Sequence, residues 1–64
     1  MKVKYDKEVD VLYIRFSDEL ISESDEDKPG IILDYNDSGN IVGIEVLHAS
    51  KQMPQPMKLE YEVA

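Results

Sequence analysis

Twelve residues, Asp34-Tyr35-Asn36-Asp37-Ser38-Gly39-Asn40-Ile41-Val42-Gly43-Ile44-Glu45, carry the spacing of a calcium-binding loop. Oxygen-bearing side chains stand at the first, third and fifth places, glycine at the sixth, an aliphatic at the eighth and glutamate at the twelfth. The chemistry is sensible, because calcium takes about six to eight oxygens from a loop that turns sharply. The flanks argue otherwise. An EF-hand needs a helix on each side, and both flanks here are β-branched strand sequence. An extended chain also carries Glu45 away from the turn, and Asn36 and Ser38 are neutral where acids bind more tightly. The segment therefore reads as a hairpin turn. A divalent-metal or enzymatic domain built on Asp34–Glu45 is the alternative.

Other constellations are thinner. Asp6, Glu8 and Asp10 alternate around a turn, where three carboxylates could hold a cation but solvation explains them equally well. His48 and Ser50 sit two apart, on one side of an extended chain. Nucleophilic catalysis also needs an orienting group and an oxyanion hole, and neither is identifiable. Glu45, two residues from Gly43 on strand sequence, either faces water or satisfies backbone or basic groups at an interface. Tyr5, Tyr13, Tyr35 and Tyr61 read as strand-filling residues with wet hydroxyls, although tyrosine is also enriched at interfaces. No glycine-rich phosphate loop, zinc pattern or dinucleotide fingerprint occurs. No catalytic, metal or cofactor-binding residue is assigned, and the chain is read as a non-enzyme without cofactors.

Two hairpins must position these groups. Lys2 to Tyr5 alternates polar with apolar, the period-2 mark of a half-buried strand. Asp10 to Phe16 is rich in β-branched and aromatic residues. With Asp6 to Val9 as the turn, Tyr5 is expected opposite Asp10, Val3 opposite Leu12 and Met1 opposite Ile14. That register gathers Met1, Val3, Leu12, Ile14 and Phe16 on one face. The other carries Lys2, Lys4, Val11, Tyr13 and Arg15. The second hairpin joins Gly30–Tyr35 to Ile41–Leu47 through Asn36–Asn40, whose residue types tolerate positive φ. Pairing Tyr35 with Asn40 sets Leu33 against Val42 and Ile31 against Ile44, and Gly43 marks a bulge or a close backbone approach. Between the hairpins, the acidic stretch Ser17 to Lys28 reads as a mobile loop or a loose edge strand near Leu20 to Ser24, the edge strand being preferred, and Pro29 marks the boundary where the next strand begins. His48 to Met53 suits one helical turn before Pro54 and Pro56. Met57, Leu59, Tyr61 and Val63 then alternate with charged residues as an extra strand, closing the chain's own sheet or adding to a neighbour's edge.

Composition bounds the rest. Sixty-four residues make one domain, 1–64, with a core over 1–50 and a tail over 51–64 that is an extra or swapped strand. A chain this short buries only about 60% of the surface it exposes unfolded, so it needs a staple. It has no cysteine, which excludes disulfides and thiolate chemistry. Oligomerisation is the staple left, and a homodimer is expected. Seven basic against fourteen acidic residues give a net charge of −7, which repels nucleic acid and suits a basic protein partner. The opening MKVKYDKEVD lacks a signal peptide's apolar stretch, and no run approaches the roughly 18 apolar residues of a membrane span. A cytoplasmic location without membrane contact is the expectation.

Two blocks together resemble a known family. Tyr5-Asp6 and Asp10-Val11-Leu12-Tyr13-Ile14 with Phe16 follow its Y-D-x3-D-x-L-Y-I-x-F pattern. Asp34-Tyr35, Gly39, Ile41-Val42-Gly43-Ile44-Glu45-Val46-Leu47 and Ala49-Ser50 follow its D-Y-x3-G-x-I-V-G-I-E-I-L-x-A-S. The family is the small prokaryotic domain of unknown function 2283, and the resemblance covers residues 5–50. It implies no established activity; its members are similar in size to antitoxin-like proteins, and the resemblance implies that some of them are paired with small toxin-like neighbours. The expected fold is mainly β, a small antiparallel meander of four to five strands built from two hairpins, with at most one short helical turn. The expected function is a non-catalytic protein-interaction module of antitoxin-like character.

Overall fold

The computed structural model describes residues 1–64. Five strands form one antiparallel sheet: β1 (Lys2–Asp6), β2 (Val11–Arg15), β3 (Glu23–Lys28), β4 (Ile31–Tyr35) and β5 (Ile41–Val46). A single helical turn, α1 (Ala49–Gln52), follows. The mainly β, antiparallel architecture of two hairpins is the one the sequence leads one to expect. Its spatial order, β1-β2-β5-β4-β3, departs from a plain meander at one place. The first hairpin docks on β5 rather than on β3, which leaves the acidic β3 at the far edge. No helix is long and apolar enough to cross a membrane.

Both hairpin registers differ from expectation, by two residues in the first and, in the second, by two for Ile31 and Leu33 and by one for Tyr35 beyond a bulge. In the first, Tyr5 lies opposite Leu12 and Val3 opposite Ile14. Asp10 is not paired with Tyr5, because its backbone turns left-handed at φ 57 and closes a four-residue loop, Lys7–Asp10. In the second, Leu33 lies opposite Ile44, Ile31 opposite Val46 and Tyr35 opposite Ile41. Val42 is the extra residue of a bulge at Asp34/Tyr35, and its carbonyl accepts the Phe16 amide at 2.8 Å. A step of two keeps the side chains of the first hairpin, and those of the second away from the bulge, on their expected faces, where a step of one would invert the sheet. Val3, Leu12, Ile14, Leu33, Ile44 and Val46 accordingly share the apolar face.

Two turns depend on glycine. Gly30, at φ 84, forms a tight turn with Pro29 between β3 and β4. Gly39, at φ 81, completes the loop in which Asn36 Oδ1 accepts the Ser38 and Asn40 amides. The expected edge strand near Leu20 to Ser24 lies further along, at Glu23–Lys28, because pairing with β4 fixes it from the Pro29–Gly30 turn backwards. Leu20 stays 87% exposed. The expected turn of helix at His48 to Met53 is present as α1. It packs at the sheet end shared by the loop before β2 and the turn before β4: the Ala49 amide reaches the Asp10 carbonyl, and the Leu47 amide the Gly30 carbonyl. Residues 54–64 contain no strand, so in the protomer they do not close the sheet.

Burial is sparse. Only five of 64 residues are buried, and the apolar ones among them are Val42, Val46 and Ala49. Val3, Leu12, Ile14, Ile31, Leu33 and Ile44 are half-buried.

An alanine at position 39 would meet no atom within 4 Å, so its cost is that of a left-handed backbone alone. Gly39→Ala is expected to destabilise the protein by about 1 kcal/mol, read as a lower urea midpoint with an unchanged slope.

Candidate functional site

The side chains that could do chemistry collect into two clusters on different parts of the sheet. The first centres on Asp10. The Tyr5 hydroxyl donates to its Oδ1 at 2.6 Å. The Ser50 amide donates to the same oxygen at 3.0 Å, and the Ser50 hydroxyl to Oδ2 at 2.7 Å. One carboxylate thus ties β1, the first turn and α1 together. The left-handed backbone at Asp10 aims the side chain out of the strand, and that at His48 (φ 51) starts the helix that brings Ser50 to it. The hydrogen bond from Tyr5, then those from Ser50, hold the Asp10 carboxyl below its usual range, and the charge of His48 adds to this. The same bond, with Asp10's charge, raises the Tyr5 hydroxyl. A carboxylate so stabilised is a poor proton acceptor. The Ser50 hydroxyl is committed to it.

The second cluster lies on the polar face. Asp34 is 1% exposed, although it sits mid-strand in β4. It faces Gly43 across β5 and Ser24 across β3. A Cβ at position 43 would stand 3.2 Å from Asp34 Oδ2 and 3.3 Å from the Ile14 carbonyl, so the glycine makes room for the carboxylate. Ser24 donates to Asp34 Oδ1 at 2.6 Å, and the Tyr13 hydroxyl lies 3.4 Å from Oδ2. Glu45, paired with Tyr13 and Ile32, completes the group. Burial, then the charge of Asp34, then a hydrogen bond to Asp34, raise the Glu45 carboxyl above its ordinary value. Burial is also the main reason that the Tyr13 hydroxyl is raised, with Asp34 adding and Arg15 opposing.

The residues singled out in sequence are thus redistributed. Asp34 and Glu45, the ends of the calcium-like spacing, do meet, but through the sheet rather than around a loop. Asn36 Oδ1 is taken by two amides of the turn. Asp6 and Asp10 turn apart, Asp6 Oδ1 accepting the Glu8 amide at 3.0 Å. No three His, Asp or Glu side chains converge as a metal site would require. Sequence reasoning missed the Tyr5–Asp10–Ser50 and Ser24–Asp34–Tyr13 contacts. Gly43 was the available signal for the second, since a glycine inside a strand marks a close approach.

The polar residues of these clusters largely coincide with those of the Tyr5–Phe16 and Asp34–Ser50 blocks, and a family model, "Protein of unknown function (DUF2283)", matches residues 2–50. The chain belongs to the DUF2283 family. No curated protein and no solved structure matches it. The DUF2283 match ends at Ser50, the residue that anchors α1 to Asp10.

Removing the short bond to a buried carboxylate should be costly. Ser24→Ala is expected to destabilise the fold by about 1–3 kcal/mol, measured by equilibrium unfolding. The two clusters also titrate with opposite sign. Glu45, raised, contributes stability that is complete below its ordinary 4.5 and is lost as pH rises through its folded value. Asp10, lowered, contributes stability above its ordinary 3.8 that is lost as pH falls through its folded value. Urea midpoints from about pH 4 to about pH 8 should therefore fall for the parent protein, and stay flatter in Glu45→Gln.

Proposed function

We propose that this DUF2283 protein is a non-catalytic protein-interaction module whose apolar sheet face is its contact surface. The observation that carries the reading is the half-burial of Val3, Leu12, Ile14, Ile31, Leu33 and Ile44, the residues that would be a core if a second layer covered them. Both clusters of polar side chains favour it as well. Asp10 and Asp34 are engaged by hydroxyl and amide groups of neighbouring elements, which is the work of holding a small sheet in shape. The exposed run Glu23-Ser24-Asp25-Glu26-Asp27-Lys28, with the net charge of −7, favours a basic protein as a heterologous partner, the antitoxin-like version of the same role. A metal-dependent or enzymatic role around Asp34–Glu45 is the rival reading.

Concentration separates the two. Association through the apolar face couples folding to assembly, so each tenfold rise in protein should add about 1.4 kcal/mol of apparent stability per dimer. The expected result is a melting midpoint that climbs with protein concentration and is indifferent to added calcium or magnesium. A midpoint that ignores concentration but rises with calcium would favour the metal reading instead.

A further inference from the structure

Three strips of backbone in the protomer lack partners, the outer edges of β1 and β3 and the C-terminal segment, and the side chains of the first and last match. The outer edge of β1 pairs with nothing, since β1 ends the sheet. Beyond the Lys58 amide, which reaches the Gln55 carbonyl at 3.1 Å, the following residues make no backbone hydrogen bond. This segment nevertheless has a strand's alternation, and it holds Met57, Leu59, Tyr61 and Val63 at 64–81% exposure. Alternating apolar side chains on a backbone without hydrogen-bond partners suit strand addition.

Charge selects the edge and the register. Beside β3, Glu60 and Glu62 would face Glu23, Asp25, Glu26 and Asp27. Beside β1 they meet lysines. Antiparallel pairing with Glu60 opposite Lys4 puts Glu62 opposite Lys2 and Lys58 opposite Asp6, three pairs of opposite sign. The same register sets Leu59 opposite Tyr5 and Tyr61 opposite Val3, extending the apolar face by one strand. Sliding by two residues in one direction brings Lys58 against Lys4, and in the other Glu60 against Asp6. Only the first register satisfies both faces.

Within one protomer the match is not made. Leu59 and Tyr61 lie beside Met1 and Val3 around an open cleft of about 460 Å³, and Lys58 bridges Glu60 of its own segment at 3.7 Å. The lead-in carries two fixed φ angles, at Pro54 and Pro56. Surface area points the same way. The protomer exposes 5133 Å², against roughly 4,200 Å² for a folded monomer of 7.3 kDa. The excess of roughly 900 Å² is close to the ~800 Å² that each partner gives up in a stable interface.

We infer that residues 58–63 of one copy add as a sixth strand to the β1 edge of a second copy, and reciprocally, giving a two-fold dimer; this rests on the interaction-module reading and names its partner. The strand is antiparallel, with Glu60 on Lys4. Lys2→Glu with Lys4→Glu in one variant, and Glu60→Lys with Glu62→Lys in another, test it by sedimentation. Residues 60 and 62 lie outside the five strands, so that second variant leaves the sheet's own contacts intact. Each variant alone should dimerise at least about tenfold more weakly than the parent, because two of the three pairs become like-charged and only Lys58 opposite Asp6 is kept. An equimolar mixture should recover a dimer, because each reversed β1 then meets a reversed segment from the other chain. A dimer that persists in both variants alone overturns the exchange while the apolar-face reading stands. A parent that is monomeric at every concentration, with the 58–63 amides protected from exchange, overturns both, the segment having closed its own sheet.

Discussion

A single sheet has two faces, and this chain supplies one helical turn as its second layer. A sheet is stabilised by what covers its apolar side, and α1 reaches only the end near Val46. The consequence runs through the whole molecule. Side chains that are core by type remain half in water, so apolar burial contributes less here than in a two-layer domain. Order must come from elsewhere, and specific polar contacts supply it. Asp10 joins positions 40 residues apart through Ser50, and Asp34 joins β2, β3 and β4.

The polar face shows how such a contact is built. A carboxylate mid-strand would ordinarily point into water. Gly43 removes the neighbouring side chain beside the bulge at Val42, and Asp34 is 1% exposed. A buried charge is tolerated only when it is well bonded. Ser24 and Tyr13 meet that need, and the neighbouring Glu45 answers by favouring its protonated form. The constellation that resembles a metal loop in sequence is thus two acidic side chains brought near one another across the sheet, with Asp34 bonded by Ser24 and the Glu45 carboxyl raised above its ordinary value by burial and by the charge of Asp34.

Legibility in the sequence followed the range of the forces involved. The four apolar strands, the Asn36–Asn40 turn and the helical turn before Pro54 are set by local alternation and turn chemistry, and they could be read directly. Register could not. It depends on the left-handed turn at Asp10, which Ser50 helps to hold, and on a bulge at Val42 that Phe16 stabilises from another strand. β3 was displaced for the same reason: Glu23–Lys28 has little strand propensity, and the pairing with β4 places it. The candidate clusters were invisible because each joins residues from both family blocks, and only the docking of β2 on β5 brings those blocks together.

The two sheet edges end in unlike chemistry, and that asymmetry follows from the same scarcity of residues. At β3 every residue is exposed and four of six are acidic, so an approaching strand of like charge meets repulsion along its whole length. At β1 lysines alternate with Val3 and Tyr5, so the edge keeps an apolar side and a basic side. A flat apolar sheet with two open edges would aggregate. Charge at β3 closes one direction of growth, and the pattern at β1 restricts the other to strands of matching alternation. The sheet thus leaves one apolar face half-covered and one edge with matched apolar and basic sides, while Gln52, beyond the Ser50 anchor, still ties α1 to the Leu47 carbonyl at 2.8 Å.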